Sequence, residues 1–444
     1  MTHRGTMRSV VSTFVVGSVA LGGAVAAHAT TGISVLFAVT DSSNNGKLDV
    51  SLSAPSDVTS LQVSLFSETT QQTVATVTNF KLVSGTAMDG VWQPKTRIQL
   101  PALDTYRIDV SAIDADGDTL STTGSGYFDY DVQTNLDDAT VDRTTVDYQD
   151  RSVTMSGHLM GKWPATGDVT PLADEEVDVS SYSQYGSAIT AADGSWSVTI
   201  PFTSEYQSSI QAEFAYDSGY VSSDPNSRFY DSSLSRSIGV KIKQTATKLF
   251  LTPSARSVPF QGAVSSTSAT LLWDSPSGWA PLVGKTLGSN SFGSFLQETT
   301  DANGNAVFPA TPALWNDATI SAGWDSDDVF LADAQASSAI TVVQPSTFVS
   351  FTPTRTDAST VTATGDLGFS FDTPGTIPVD IQFSATGKGG WTTVATVPNA
   401  WFDGPGYGFS ITIPSSTAGF WRATFSGGKQ FESATSSVVY LPAS

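Results

Sequence analysis

The chain has 444 residues and no cysteine, which removes disulfide cross-links, a thiol nucleophile and a thioether lipid anchor from consideration. Its 42 acidic residues against 21 basic ones give a formal charge of -21, which repels phosphate backbones and anionic head groups, so nucleic acid is not an expected partner. Only 14% of the residues are charged, and this thin spread of acidity over a Ser, Thr, Gly and Ala surface reads as solubility.

Residues 1–29 read as a signal peptide. Arg4 and Arg8 supply the positive start, Val10 to Ala27 the apolar stretch, and Ala27-His28-Ala29 the small-residue cleavage site. Cleavage would leave Thr30 as the mature N-terminus of a secreted, extracellular chain with no membrane insertion; an uncleaved anchor is the competing reading. About 415 residues remain, enough for four units of about 100 that each hold together by a core alone.

Period-2 alternation dominates from there and helical periodicity is nearly absent, so the expected class is all-β. Residues 30–133 form a divergent first unit. In it Leu103 to Ala112 alternates, with Tyr106 where a sandwich places its tyrosine corner. Asp114-Ala115-Asp116-Gly117-Asp118 then spaces three carboxylates two apart, as a calcium loop does, but Thr119 and Ser125 stand where an EF-hand needs Gly and Glu. A hairpin turn is the first reading of Asp114, Asp116 and Asp118, and a Ca2+ site the second.

Units at 134–244, 245–344 and 345–444 share a pattern. Each has a mid-unit Pro-Leu or Pro-Val, an Asp-Gly or Asn-Gly turn (Asp193-Gly194, Asn303-Gly304, Asp403-Gly404), and an aromatic-bearing strand. First strands are expected at Thr144-Thr145-Val146, Thr247-Lys248-Leu249 and Ser346-Thr347-Phe348. Ser156-Gly157-His158-Leu159 is set against Gln261-Gly262-Ala263-Val264 and Thr364-Gly365-Asp366-Leu367. The strands ending at Phe214, Trp324 and Phe425 occupy one position, each followed by an aromatic: Tyr220, Phe330 or Phe431. The last unit shows seven short strands, from Phe348–Thr352 to Ser437–Leu441, the count of an immunoglobulin-like sandwich.

These motifs, notably Pro171-Leu172 to Val177 and the Thr190 to Trp196 hairpin, resemble the bacterial immunoglobulin-like domains that occur in tandem in exported proteins. The resemblance implies a tandem array of about four β-sandwich domains with an adhesive, ligand-displaying or spacing role and no catalysis. It covers the last three units and the first only in outline. The junctions lack long Gly/Ser or Pro tethers, so a fairly stiff, monomeric rod is expected.

No G-x-S-x-G elbow, H-E-x-x-H helix or C-x-x-C pair occurs, and the expected mature chain keeps one histidine, His158. No catalytic residue is assigned. Trp196, Trp324 and Trp421 read as core residues, whereas Trp273, Trp279 and Trp401 flank loops. There they either pack under the loop or stack on a sugar or an extracellular protein partner. The reading is a non-catalytic surface or spacer protein, with a carbohydrate-binding accessory protein as alternative and a secreted hydrolase as the disfavoured third.

Overall fold

The computed structural model describes residues 32–404 and 406–444; the expected signal peptide and its cleavage site lie outside the described residues. Strands dominate, and among the described residues a three-residue 3-10 turn at Ser227–Phe229 is the only helical element, so no helix is long and apolar enough to cross a membrane. Strand Ser195–Pro201 shows the cause: Trp196, Val198 and Ile200 are buried while Ser197, Thr199 and Pro201 face solvent. Each such side chain removed from water contributes about 1.5 to 3 kcal/mol.

Four hydrophobic cores follow one another along the chain, running from Ile33 to Tyr130, Val132 to Val240, Leu249 to Val342 and Phe351 to Ala434. The fourth is a two-sheet sandwich. One sheet holds Ser346–Asp357, Thr360–Phe369, Tyr407–Pro414 and Trp401–Phe402; the other is built on Val379–Ser384 and Gly419–Phe425. Leu367 and Phe409 of the first meet Ile381, Trp421 and Phe425 of the second in one cluster. All seven strands expected there are present, joined by the two-residue strands Trp401–Phe402 and Ala434–Thr435, which are too short to show alternation.

The first unit differs from the fourth. Its eight strands form one continuous sheet folded around a single core. Strand Ser34–Thr40 joins the halves, running antiparallel to Leu48–Ser53 and parallel to Thr119–Tyr130, with a bulge between Val35 and Phe37. Tyr106 makes the expected corner: it is 2% exposed and its hydroxyl donates to the Ala102 carbonyl at 2.7 Å. Burial, then the nearby Asp104 carboxylate, pushes its phenol up to about 12.

Hydrogen bonds correct several of the expected equivalences. The Leu159 N–H donates to the Gly194 carbonyl and the Leu271 N–H to that of Gly304, both at 2.9 Å. Leu271, within strand Thr267–Ser275, is therefore the counterpart of Leu159, and Gln261-Gly262-Ala263-Val264 is a turn with Gln261 at φ 60. Thr145–Val146 pairs in parallel with Lys241–Ile242, as Ser257–Pro259 does with Thr341–Val343, so it matches Ser257–Pro259 and not Thr247–Leu249. The turn glycines do correspond. Gly194 and Gly304 have φ of 78 and 76, and a Cβ on either would lie 2.7 or 2.6 Å from the carbonyl of its leucine partner.

One arrangement recurs wherever the chain passes between cores. At or just before the start of each of the last three cores, Val132, Thr245 and Gln344 each form a single parallel bridge, to Tyr230, Leu331 and Phe431. Each bridge is a pair of backbone hydrogen bonds. Val132 donates to Phe229 at 2.9 Å and accepts from Asp231 at 3.0 Å; Thr245 donates to Phe330 at 2.8 Å and accepts from Ala332 at 3.0 Å; Gln344 donates to Gln430 at 2.8 Å and accepts from Glu432 at 2.9 Å. Tyr230 and Leu331, not Tyr220 and Phe330, are thus the counterparts of Phe431; in the second unit a long loop carrying the 3-10 turn intervenes.

Side chains reinforce these junctions. Asn45 of the first unit donates to the carbonyls of Asp131 at 2.8 Å and Lys162 at 2.9 Å. Phe330 inserts into the second core, and Arg151 pairs with Asp328 at 2.6 Å. At the last junction Gln344, 1% exposed, donates its side-chain amide to the Trp315 carbonyl at 2.7 Å.

Candidate functional site

Asp114, Asp116 and Asp118 lie in the hairpin between strands Asp104–Asp114 and Thr119–Tyr130, with Gly117 at φ 88 supplying the turn. Asp114 is 2% exposed and its Oδ1 accepts from the Asp118 N–H at 2.9 Å, whereas Asp116 and Asp118 face solvent. Among the described residues no three His, Asp or Glu side chains gather to hold a metal ion. His158 lies on strand Ser152–His158, its Nδ1 2.6 Å from Asp138 Oδ2.

The three loop tryptophans occupy different environments. Trp273 is half-buried and packs edge-on against Tyr148 of the second unit, ring centroids 4.8 Å apart, so it fills a junction. Trp279, 40% exposed, carries the Lys248 ammonium 3.9 Å above its ring. Trp401 is 51% exposed on the short edge strand Trp401–Phe402.

The sheet register shows what surrounds Trp401. Ser350 pairs with Asp366, Asp366 with Gly408, and Gly408 with Trp401, so these four stand in one row across four strands. Asp366 faces outward because Gly365 and Leu367 on either side are buried, and directly paired residues share a face. Gly408 is buried beneath the Asp403 carboxylate and the indole edge: a Cβ there would overlap the Asp403 carboxylate and come within 3.4 Å of the Trp401 Nε1. Ser350 donates to Asp366 Oδ2 at 2.6 Å, and Asp366 and Asp403 meet side chain to side chain. Desolvation, then the Asp366 carboxylate, holds the Asp403 carboxyl above its ordinary range. The next two rows of the same face are Thr352, Thr364, Ser410 and Thr354, Thr362, Thr412. The outcome is an exposed indole and two carboxylates at the edge of a hydroxyl-covered sheet.

A second acid pair lies at the first junction, where Asp131 and Asp231 flank the Val132–Tyr230 bridge. Burial, then the Asp231 charge, pushes the Asp131 carboxyl up to about 8, and burial raises Asp231 as well, with Asp129 adding to both. Both pairs escape a reading of the sequence because their members are far apart along the chain.

The junction pair sets a pH dependence. Because the native Asp131 keeps its proton where the unfolded chain has lost it, the native state binds more protons between about pH 4 and about 8. Stability should therefore fall as pH rises through that window and level off above it. Asp131→Asn, which retains a donor toward Asp231, should flatten this slope and raise stability at pH 8 by about 1 to 3 kcal/mol. Thermal unfolding from pH 4 to 9 checks it, and an unchanged slope in the variant would refute the assignment.

No protein-family model matches the chain, and no curated protein matches it. Among solved structures it is similar to a tetra-tandem repeat in the extending region of a large adhesion protein, with 16% identity and a TM-score of 0.42 over 92% of this chain and 99% of that one. It is also similar to three N-terminal domains of the highly immunogenic outer capsid protein of bacteriophage RB49, at 11% identity and TM-score 0.31 over 69% of this chain and 96% of that one. Similarity to a run of titin domains covers 70% of this chain and 99% of that one, at 11% identity and TM-score 0.26.

Proposed function

We propose that this protein is an extracellular, non-catalytic array whose units at 30–133, 134–244, 245–344 and 345–444 hold a binding surface at a distance from its point of attachment. The observation that carries this reading is the recurrence of one two-bond bridge at all three passages between cores. A chain that needed independently mobile domains would have no use for linker residues hydrogen-bonded into the next unit. The signal-peptide pattern at residues 1–29 and the acidic surface favour the outside of the cell.

Small-angle scattering of the chain from Thr30 tests the spacing role. A compact chain of this length would have a radius of gyration of about 22 Å, whereas four sandwiches in line should give roughly 40 Å. Beads coated with the same chain should retain wall material from the producing cells, which tests the binding role. A compact particle would defeat the first, and bare beads the second.

A further inference from the structure

The geometry points to the Trp401 face of the fourth unit as a binding site for an uncharged polysaccharide, whose sugar ring would stack on the indole while its hydroxyls donate to Asp366 and Asp403. This rests on the binding role proposed above and names its ligand class. Of the three loop tryptophans, Trp273 is taken up by Tyr148 and Trp279 by Lys248, while Trp401 is 51% exposed. An apolar ring left in water beside carboxylates offers the two contacts that a sugar needs, a flat surface for its C–H face and acceptors for its hydroxyls.

Three further observations fix the class. Gly408, having no side chain, lets the Asp403 carboxylate and the edge of the Trp401 indole fold over it beside Asp366, so a ring resting on the indole would have both carboxylates next to it. The adjoining rows of Thr and Ser carry hydroxyls that can both donate and accept, and along them a chain of sugars could continue. No Lys or Arg stands in these rows, and the whole chain bears a formal charge of -21, so an acidic polysaccharide would be repelled.

Isothermal titration of the full chain, in EDTA, with a soluble β-glucan, a mannan, a galactan and polygalacturonate decides the matter. At least one neutral polymer should bind and polygalacturonate should not. Trp401→Ala should weaken that binding tenfold or more, Trp401→Phe should restore part of it, and Asp366→Asn should weaken it at least threefold, all with unchanged melting temperature. Failure of all three neutral polymers, binding indifferent to Trp401→Ala, or binding that appears only when Ca2+ replaces EDTA would overturn the assignment. Bead attachment that survives Trp401→Ala would remove this site and leave the binding role standing; bare wild-type beads would remove the binding role itself.

Discussion

Phe330→Ala should destabilise the second core by about 3 to 5 kcal/mol, although Phe330 belongs to the stretch of chain that builds the third. Its ring is 1% exposed and packs in the cluster of Val132, Val146 and Phe202, capped by Arg151, whose guanidinium lies 5.0 Å from the Phe330 centroid and 4.5 Å from that of Tyr148. Truncation leaves a cavity in the second core and removes a buried apolar contact between the two units, leaving that of Trp273 with Tyr148. Scanning calorimetry should show the second and third units melting separately, the second shifted down. Asp328→Asn at the same junction breaks only the partly exposed ion pair with Arg151 and should cost less than about 1 kcal/mol. A Phe330→Ala protein that melts like the parent would show that the ring is not held between the units.

Trp421→Ala should cost a similar 3 to 5 kcal/mol, confined to the fourth unit. The indole is 1% exposed and packs edge-on against Phe383 with centroids 5.2 Å apart. It touches only its own core. For a unit of about 100 residues this loss lowers the melting temperature by well over 10 °C, while the transitions of the other three should stay in place. A neutral result would mean that strand Gly419–Phe425 presents its other face to the core.

The fold was legible because it rests on local alternation, and the register and sites were not because they rest on distant pairings. Val361, Ala363 and Leu367 announce a strand with one buried face in any reading of their neighbours. Nothing near Leu159 states that Leu271 shares its rung; that follows only from the hydrogen bonds to Gly194 and Gly304. Tyr220 was misplaced for the same reason, since an intervening loop changes residue spacing without changing the bridge. Trp401 was visible as an aromatic beside a turn. Its two carboxylate neighbours were not: Asp403 lies two residues away and reads as part of the turn, while Asp366 joins it only through the pairing of Gly408 with both adjacent strands.

The parallel pairs near the two ends of each of the first three units bear on what happens when the protein is pulled. Ala38 and Val39 pair with Gly126 and Tyr127, Thr145–Val146 with Lys241–Ile242, and Ser257–Pro259 with Thr341–Val343. Tension along the chain draws the entering strand and the leaving strand in opposite directions, sliding them along each other so that the bonds between them bear the load together instead of opening in succession. In the fourth unit the described strands include no such parallel pair: its last strand, Val439–Leu441, pairs only antiparallel, with Gly419–Phe425. That end can peel one bond at a time, so under load the unit that carries Trp401 is the one that gives way first.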